Sequence, residues 1–270
     1  MKLLIDADSA IYKAGLSNEA RSYRILCDDF VAAEFKYMKE VNSWLKEARE
    51  KDPDAVFEVE KHKEVGPLHH SLANLKSLCH VMTEIKHKDR ALYISGEGNF
   101  RYDIYPQYKG HRDPNDKPKQ EKELREYLIR YWDAEVVDGE EADDRVSYMQ
   151  CMAQEPTCIV TIDKDLLNTP GWHYNYDKKT LFEITTEEAD YNFALQLLTG
   201  DATDNIPGIK GVGAKTARKI LPEERRNEWK DIVVGAYKDA YPEDWEETLI
   251  RNGRLLWMRR EPEQMWDLTL

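Results

Sequence analysis

Two rhythms of apolar and polar positions run along this chain. Lys2-Leu-Leu-Ile-Asp6 is a short unbroken apolar run closed by a carboxylate, which predicts a buried strand with Asp6 at its C-terminal end. Val31, Phe35, Met38, Val41, Leu45 and Ala48 then recur at three- and four-residue steps. That spacing predicts a long helix over 29–49, broken by Asp52-Pro53-Asp54. Residues 56–65 read as an extended ribbon ending at Gly66-Pro67. Leu72, Leu75, Cys79 and Met82 share one face of a second helix over 68–85. Apolar runs at 91–94, 134–137 and 158–162 predict three further strands. Strands alternating with helices predict the α/β class, with a mostly parallel sheet covered on both faces. Beyond Thr185 the pattern is wholly helical. No repeat, low-complexity tract or flexible linker divides the chain. The expectation is an α/β core over 1–185 and a helical region over 186–270 packed on it.

Composition narrows the class. The chain has 270 residues, 41% hydrophobic and 34% charged, enough to bury a real core beneath a heavily solvated surface. No stretch approaches the roughly 18 apolar residues of a membrane span. Asp6 and Asp8 interrupt the N-terminal apolar run, so no signal peptide is expected. Cys27, Cys79, Cys151 and Cys158 form no CxxC pair and read as free thiols of a reducing cytoplasm. The net charge of −13 argues against a polyanionic partner if it is spread evenly. It is not. Seven acids fall within 133–144, whereas bases gather at 109–125 and 210–226, so one face can be basic.

The acids carry the candidate chemistry. Asp6 and Asp8 follow the first strand, and Glu97 follows the second in Gly96-Glu97-Gly98. Glu141, Asp143 and Asp144 open a helix after Gly139, Asp163 and Asp165 end the fourth strand, and Asp201 and Asp204 follow Gly200. Each cluster alone has a bland explanation, as helix-dipole partners or turn residues bonding their own backbone. Their recurrence at successive strand ends does not, because side chains leaving those ends converge in one crevice. Carboxylates gathered there repel unless cations join them, and oxygen ligands in excess suit Mg²⁺ or Mn²⁺. Two such ions support phosphodiester hydrolysis.

Two basic segments suit a nucleic-acid partner. Glycines 208, 211 and 213 lie between helical stretches at 192–199 and 214–221, with Lys210, Lys215, Arg218 and Lys219 alongside. Backbone N–H groups exposed at a glycine turn can hold a phosphate without reading its base. An ordinary joint between two helices is the alternative. Phe100-Arg101 and Tyr105 to Arg112 join aromatic rings to cations, as at a single strand or frayed end. Alternatively Tyr105 and Tyr108 pack beneath a solvated surface helix.

In order, these blocks resemble the structure-specific 5′-nucleases: flap endonucleases, the 5′-nuclease domain of bacterial DNA polymerase I, and stand-alone phage 5′–3′ exonucleases. The matching residues are Leu4-Ile-Asp6-Ala-Asp8, Phe100-Arg101 to Arg112, Gly139-Glu-Glu-Ala-Asp-Asp144, Thr161-Ile-Asp-Lys-Asp165 and Gly200-Asp-Ala-Thr-Asp204 through Thr216. The resemblance implies a PIN-like 5′-nuclease core. It assigns Asp6, Glu141, Asp143 and Asp144 to a first metal group, and Asp163, Asp165, Asp201 and Asp204 to a second. Lys109 and Arg112 resemble the cations at the base of a helical arch, here 101–131, that steady the scissile phosphate. Arg101 joins them on the DNA side, and Tyr108 resembles the ring that stacks on the terminal base. Gly208, Lys210, Gly211, Gly213, Lys215 and Thr216 resemble the helix–three-turn–helix that grips duplex backbone around a monovalent cation such as K⁺. The family usually carries an aspartate after its second strand. Here either Glu97 substitutes from a longer reach or Ser95 marks a lost ligand.

The resulting expectation is a divalent-metal-dependent 5′–3′ exonuclease or 5′-flap endonuclease. Its partner is DNA with a 5′ end, nick or flap, with RNA primers paired to DNA as a further candidate substrate. Mg²⁺ is the expected cofactor, replaceable by Mn²⁺, and no membrane or protein partner is implied. Two other readings stand beside it. Asp6-Ala-Asp8-Ser-Ala10 resembles the nucleophile loop of haloacid-dehalogenase-like phosphatases, and the missing aspartate suits a DNA-structure-binding protein with a decayed metal site.

Overall fold

The structure, a computed structural model, describes residues 1–28 and 30–269, and of residues 224 and 225 the backbone alone. The first half of the chain runs β1 (Lys2–Asp6), α1 (Asp8–Leu16), β2 (Glu19–Cys27), β3 (Phe30–Phe35), α2 (Met38–Lys51), β4 (Glu58–Val65), α3 (Leu68–Met82), β5 (Asp89–Ser95), α4 (Phe100–Ile104), α5 (Glu121–Trp132) and β6 (Glu135–Val137). It continues with α6 (Ala142–Cys151), β7 (Thr157–Val160), β8 (Gly171–Asn175), β9 (Thr180–Ile184), α7 (Thr186–Thr199), β10 (Gly200–Asp201), β11 (Ile206–Pro207), α8 (Ala214–Ile220), α9 (Trp229–Ala240) and α10 (Trp245–Leu256).

The six-stranded central sheet has the order β6-β5-β1-β7-β8-β9, parallel except for the antiparallel edge strand β9. The alternation within β1 explains its two-sided burial. Leu3 and Ile5 pack with Ala10, Ile11, Leu75, Cys79, Met82, Leu124 and Leu128 beneath α1, α3 and α5. Leu4, on the opposite face, meets Tyr93, Val146, Ile159 and Met258. From β1 the chain winds toward β5 and β6, then returns to place β7 on the other side of β1. The topological switch point therefore lies between β1 and β7, where an open parallel sheet forms its crevice.

A third cluster joins α7, α9 and α10 through Phe193, Leu197, Trp229, Val233, Tyr237, Leu249 and Trp257, and takes in Tyr108. The helix predicted at 192–199 begins earlier, at Thr186. Thr185 and Glu188 form a reciprocal cap there, with Glu188 N donating to Thr185 Oγ1 at 3.1 Å and Thr185 N to Glu188 Oε2 at 2.8 Å.

Two expectations are corrected. The helix over 29–49 is a hairpin strand followed by a helix. Asp29 lies outside the described residues, Val31 and Phe35 belong to β3, and α2 starts only at Met38. Asp28, at φ 48°, turns the chain so that Cys27 pairs with Phe30, and the ladder with β2 outweighs a helical spacing that was coincidental. The extended reading of 56–65 fits β4, which joins β2 and β3 in a separate antiparallel sheet, β3-β2-β4. Finally, the segment beyond Thr185 is not wholly helical, because β10 and β11 pair across the turn at 200–207. Strands β8 and β9 were not predicted. No helix among the described residues is long and apolar enough to cross a membrane.

Candidate active site

Asp6 ends β1 and is buried. Its Oδ1 accepts from Asp8 N at 3.2 Å and its Oδ2 from Thr161 Oγ1 at 3.1 Å, which ties the end of β1 to the residue just past β7. Burial, then the charges of Asp8 and Asp163, push its pKa up to about 8. Asp8 reaches sideways to the end of β5. Its Oδ2 accepts from Ser95 N at 3.0 Å, while Arg125 lies 3.5 Å from Oδ1 and also donates to Ser95 O.

The second acidic element comes from α6. Glu141 is its N-cap, and the capping box closes on Asp144. Ser95 Oγ accepts from Ala142 N at 2.9 Å, so the helix start is fixed to the end of β5. Burial and the neighbouring Glu141 and Asp144 hold Asp143 well above the usual carboxylate range. Glu141 goes the other way. Burial opposes its charge, but Lys109 and Arg101 outweigh it and bring the pKa down to about 2.

The third element is the loop after β7 and the β10–β11 turn. Asp165 is pushed up to about 7 by burial, then by Asp163 and Asp201. Asp201 is buried, yet Lys164 Nζ at 2.9 Å and Thr203 N at 2.7 Å hold its pKa down. Over these acids lies the segment from Tyr108 to Arg112. Lys109 takes a left-handed φ of 54°, and its N donates to Asp204 O at 2.9 Å. Its ammonium pairs with Glu141 and lies 3.6 Å from Asp204, and Arg112 pairs with Asp204. Burial disfavours the Lys109 charge, but those carboxylates prevail and raise its pKa.

Asp6, Asp143 and Asp163 pair with no lysine or arginine among the described residues, whereas Asp8, Glu141, Asp144, Asp201 and Asp204 each do. With the acids turned to these cations, no three His, Cys, Asp or Glu side chains among the described residues converge closely enough to hold an ion as they stand. The donor set still fits hard divalent ions. It is all oxygen, and Asp6, Asp143 and Asp163 keep carboxylates that no lysine or arginine among the described residues engages.

Four expectations fail against this geometry. Arg101 is fully buried and does not face DNA: it forks onto Asp144, with Nη2 2.9 Å from Oδ1, and donates to Leu255 O at 2.8 Å. Asp144 is correspondingly spent on Arg101 and withdrawn from the crevice. Tyr108 is 2% exposed, with Oη 2.8 Å from Glu141 Oε2 and 2.9 Å from Asp204 Oδ2, so its ring offers no face to a base. Glu97 is exposed, and its side chain makes no hydrogen bond or ion pair among the described residues. At the end of β5 the acid is Asp8, whose reach across from α1 its place in the sequence did not disclose.

The glycine hairpin connects α7 to α8. Lys210, Gly211, Gly213, Lys215 and Thr216 are all exposed along it, and Gly211 takes φ 83°. Gly208 is there for space. A Cβ on it would meet Thr199 C at 2.2 Å and Gly200 N at 2.3 Å. Gly208→Ala is therefore expected to open the β10–β11 pair and destabilise the fold by ~1–3 kcal/mol, as chemical denaturation would show. A cost within experimental error would mean that the turn yields freely.

Residues 56–190, half of the chain, match the family model of the 5′-3′ exonuclease N-terminal resolvase-like domain. The chain belongs to the 5′–3′ exonuclease family. In an alignment 148 positions long that covers 46% of this chain, it is 34% identical to the thermostable DNA polymerase I of Thermus aquaticus. Over 144 residues it is 33% identical to DNA polymerase I of Borreliella burgdorferi. These matches span only 17% and 16% of the polymerases' own length. In fold, this family member resembles T5 5′-exonuclease in a structure with bound zinc. The TM-score is 0.51 at 16% identity, covering 95% of this chain and 88% of that one.

Proposed function

We propose that this chain is a divalent-metal-dependent 5′-nuclease that hydrolyses phosphodiesters at 5′ ends of duplex, nicked or branched DNA, RNA primers paired to DNA included. One observation carries the reading: acids from β1, α6, the β7 loop and the β10–β11 turn line one crevice, linked through Thr161 to Asp6 and through Lys109 to Glu141 and Asp204. In this reading Asp6, Glu141 and Asp143 would hold one Mg²⁺, and Asp163, Asp165, Asp201 and Asp204 a second, with Mn²⁺ as a substitute. Bound there, the ions would supply Lewis-acid stabilisation and ready deprotonation of water.

The chain's own residues do the rest. The exposed hairpin 208–216 and its lysines hold duplex phosphates without reading sequence, and a K⁺ ion bound at the hairpin would add positive charge there, so the helical region 186–270 acts as the DNA-holding part beside the core 1–185. Lys109 stays charged and lies against Glu141 and Asp204. The phosphate of an arriving strand competes with those carboxylates for Lys109 and Arg112, which then face the charge that grows on the phosphate oxygens. In the net reaction, water oxygen bonds to phosphorus, the P–O3′ bond breaks, and a 5′-phosphate and a 3′-hydroxyl result. Lys109→Ala is expected to slow the single-turnover step by ~10²–10³-fold with little change in duplex affinity. An unchanged rate would remove Lys109 from the mechanism.

A further inference from the structure

The separate sheet β3-β2-β4 has no part in the chemistry above, and β2, β3 and α2 precede the residues matched by the family model. Its register nevertheless has a consequence. Arg21 pairs with Lys63 and Tyr23 with Lys61, and because side chains alternate across a strand, Glu19, Arg21, Lys61 and Lys63 share one face. That face meets the connection between α4 and α5, residues 105–120, whose one regular turn is a short 3₁₀ segment at Pro114–Asp116.

The contacts run along its second half. Lys61 Nζ lies 2.9 Å from Asp113 Oδ2 and 3.5 Å from Asp116 Oδ1. Arg21 Nη2 donates to Asp116 O at 3.1 Å, and Lys63 Nζ to Lys117 O at 2.9 Å. Glu19, itself 1% exposed at its side chain and paired with Lys63, accepts from Lys119 N at 2.6 Å. Gln120 Nε2 donates to Gly66 O at 3.0 Å. The tied segment is one wall of a cleft of about 500 Å³ whose other wall is α5; Lys117, Lys119, Lys122 and Arg125 line it, with Glu121 and Glu126. Asp113 directly follows Arg112, which pairs with Asp204.

We infer that the sheet of residues 19–65 is a strut that fixes the 113–120 wall, and Arg112 through it, before a 5′ strand arrives. A connection of this length and irregularity would otherwise lose its conformational freedom during binding. Ties made in advance convert that loss into pre-organisation of the reacting geometry. Lys61 is thus a positioning residue: it touches neither metal ligand nor substrate, and acts through Asp113 on Arg112. The effect on cleavage rests on the nuclease reading above; the ordering of the segment does not.

The test uses the full chain with Lys61→Asp, the charge-swapped pair Lys61→Asp/Asp113→Lys, and the parent. Two quantities are read: amide hydrogen exchange over 109–120 without DNA, and single-turnover cleavage of a 5′-labelled recessed duplex alongside its dissociation constant. Lys61→Asp is expected to speed exchange over 113–120 by about tenfold and slow single-turnover cleavage by about tenfold, leaving duplex affinity within about twofold; the swapped pair should recover both. Exchange as slow as in the parent would overturn the strut. So would faster exchange with cleavage unchanged, since ordering would then have no bearing on the reaction. A parent that cuts no 5′ end would instead refute the nuclease reading, while the exchange comparison would still decide whether the segment is tied.

Discussion

Asp6→Asn is expected to make the metal-free protein more stable at pH 8 and at the same time to remove the nuclease activity proposed for it. The two effects share one cause. Asp6 is buried beside Asp8 and Asp163, and its pKa is raised to about 8 from an ordinary carboxylate value. A group whose folded pKa is raised contributes stability in full below its unfolded pKa, near 3.9, and loses that contribution as pH climbs through the folded value. Without metal, the protein should therefore weaken progressively from about pH 4 to about pH 8. Asp165, raised to about 7, adds to the same trend. Asparagine keeps the shape and does not ionise, so the gain at pH 8 is on the order of 1–3 kcal/mol. Added Mg²⁺ should raise the melting temperature of the parent and do much less for the variant. Loss of a carboxylate proposed to hold metal is expected to cost cleavage ~10³-fold or more, several kcal/mol of transition-state stabilisation. A variant less stable than the parent at pH 8 without metal would mean that the Asp6 charge is already compensated.

The largest loss of stability is expected from Arg101→Leu. Both partners of the Arg101–Asp144 pair are fully buried, and the guanidinium also donates to Leu255 O and, at 3.3 Å, to Trp257 O. It therefore locks α4 to α6 and to the end of α10. Removing it strands the Asp144 carboxylate out of water, which costs ~3–5 kcal/mol. Arg101→Lys should recover only part of this, since an ammonium cannot reproduce the planar fork. Arg101→Leu/Asp144→Leu should recover more than half, because no buried charge is then left alone. Urea denaturation of the three variants measures this. A single-variant loss below about 1 kcal/mol would show that water reaches the pair.

How legible this was from sequence depended on the kind of fact. Asp6 at the end of β1 and the acidic start of α6 at Glu141 follow from local pattern, and local pattern was sufficient. The β2–β3 hairpin failed because Val31 and Phe35 happen to stand four apart, while the partner that decides their state, β2, gives no strong strand signal of its own. Arg101 and Tyr108 were misread for another reason. Both sit in a segment of alternating rings and cations, and sequence does not say which of these turn inward. Arg101 is paid for by Asp144, so a buried guanidinium looks like a surface one until its partner is placed. Asp8 was visible in Asp6-Ala-Asp8, but its link to Ser95 spans two strands and only the fold supplies it.

The most direct test of the central claim is cleavage of a 5′-labelled flap and a blunt duplex in Mg²⁺, in Mn²⁺ and in EDTA, with Asp201→Asn beside the parent. Asparagine keeps the shape of Asp201 and can still accept from Thr203 N, and the Lys164 ammonium it releases is exposed to water, so the replacement should spare the fold and the DNA binding proposed for the hairpin. Release of label from the 5′ end in either metal, absent in EDTA and lost in the variant while DNA binding persists, is the expected result. Binding without cleavage in both metals, or cleavage that survives EDTA or Asp201→Asn, would contradict it.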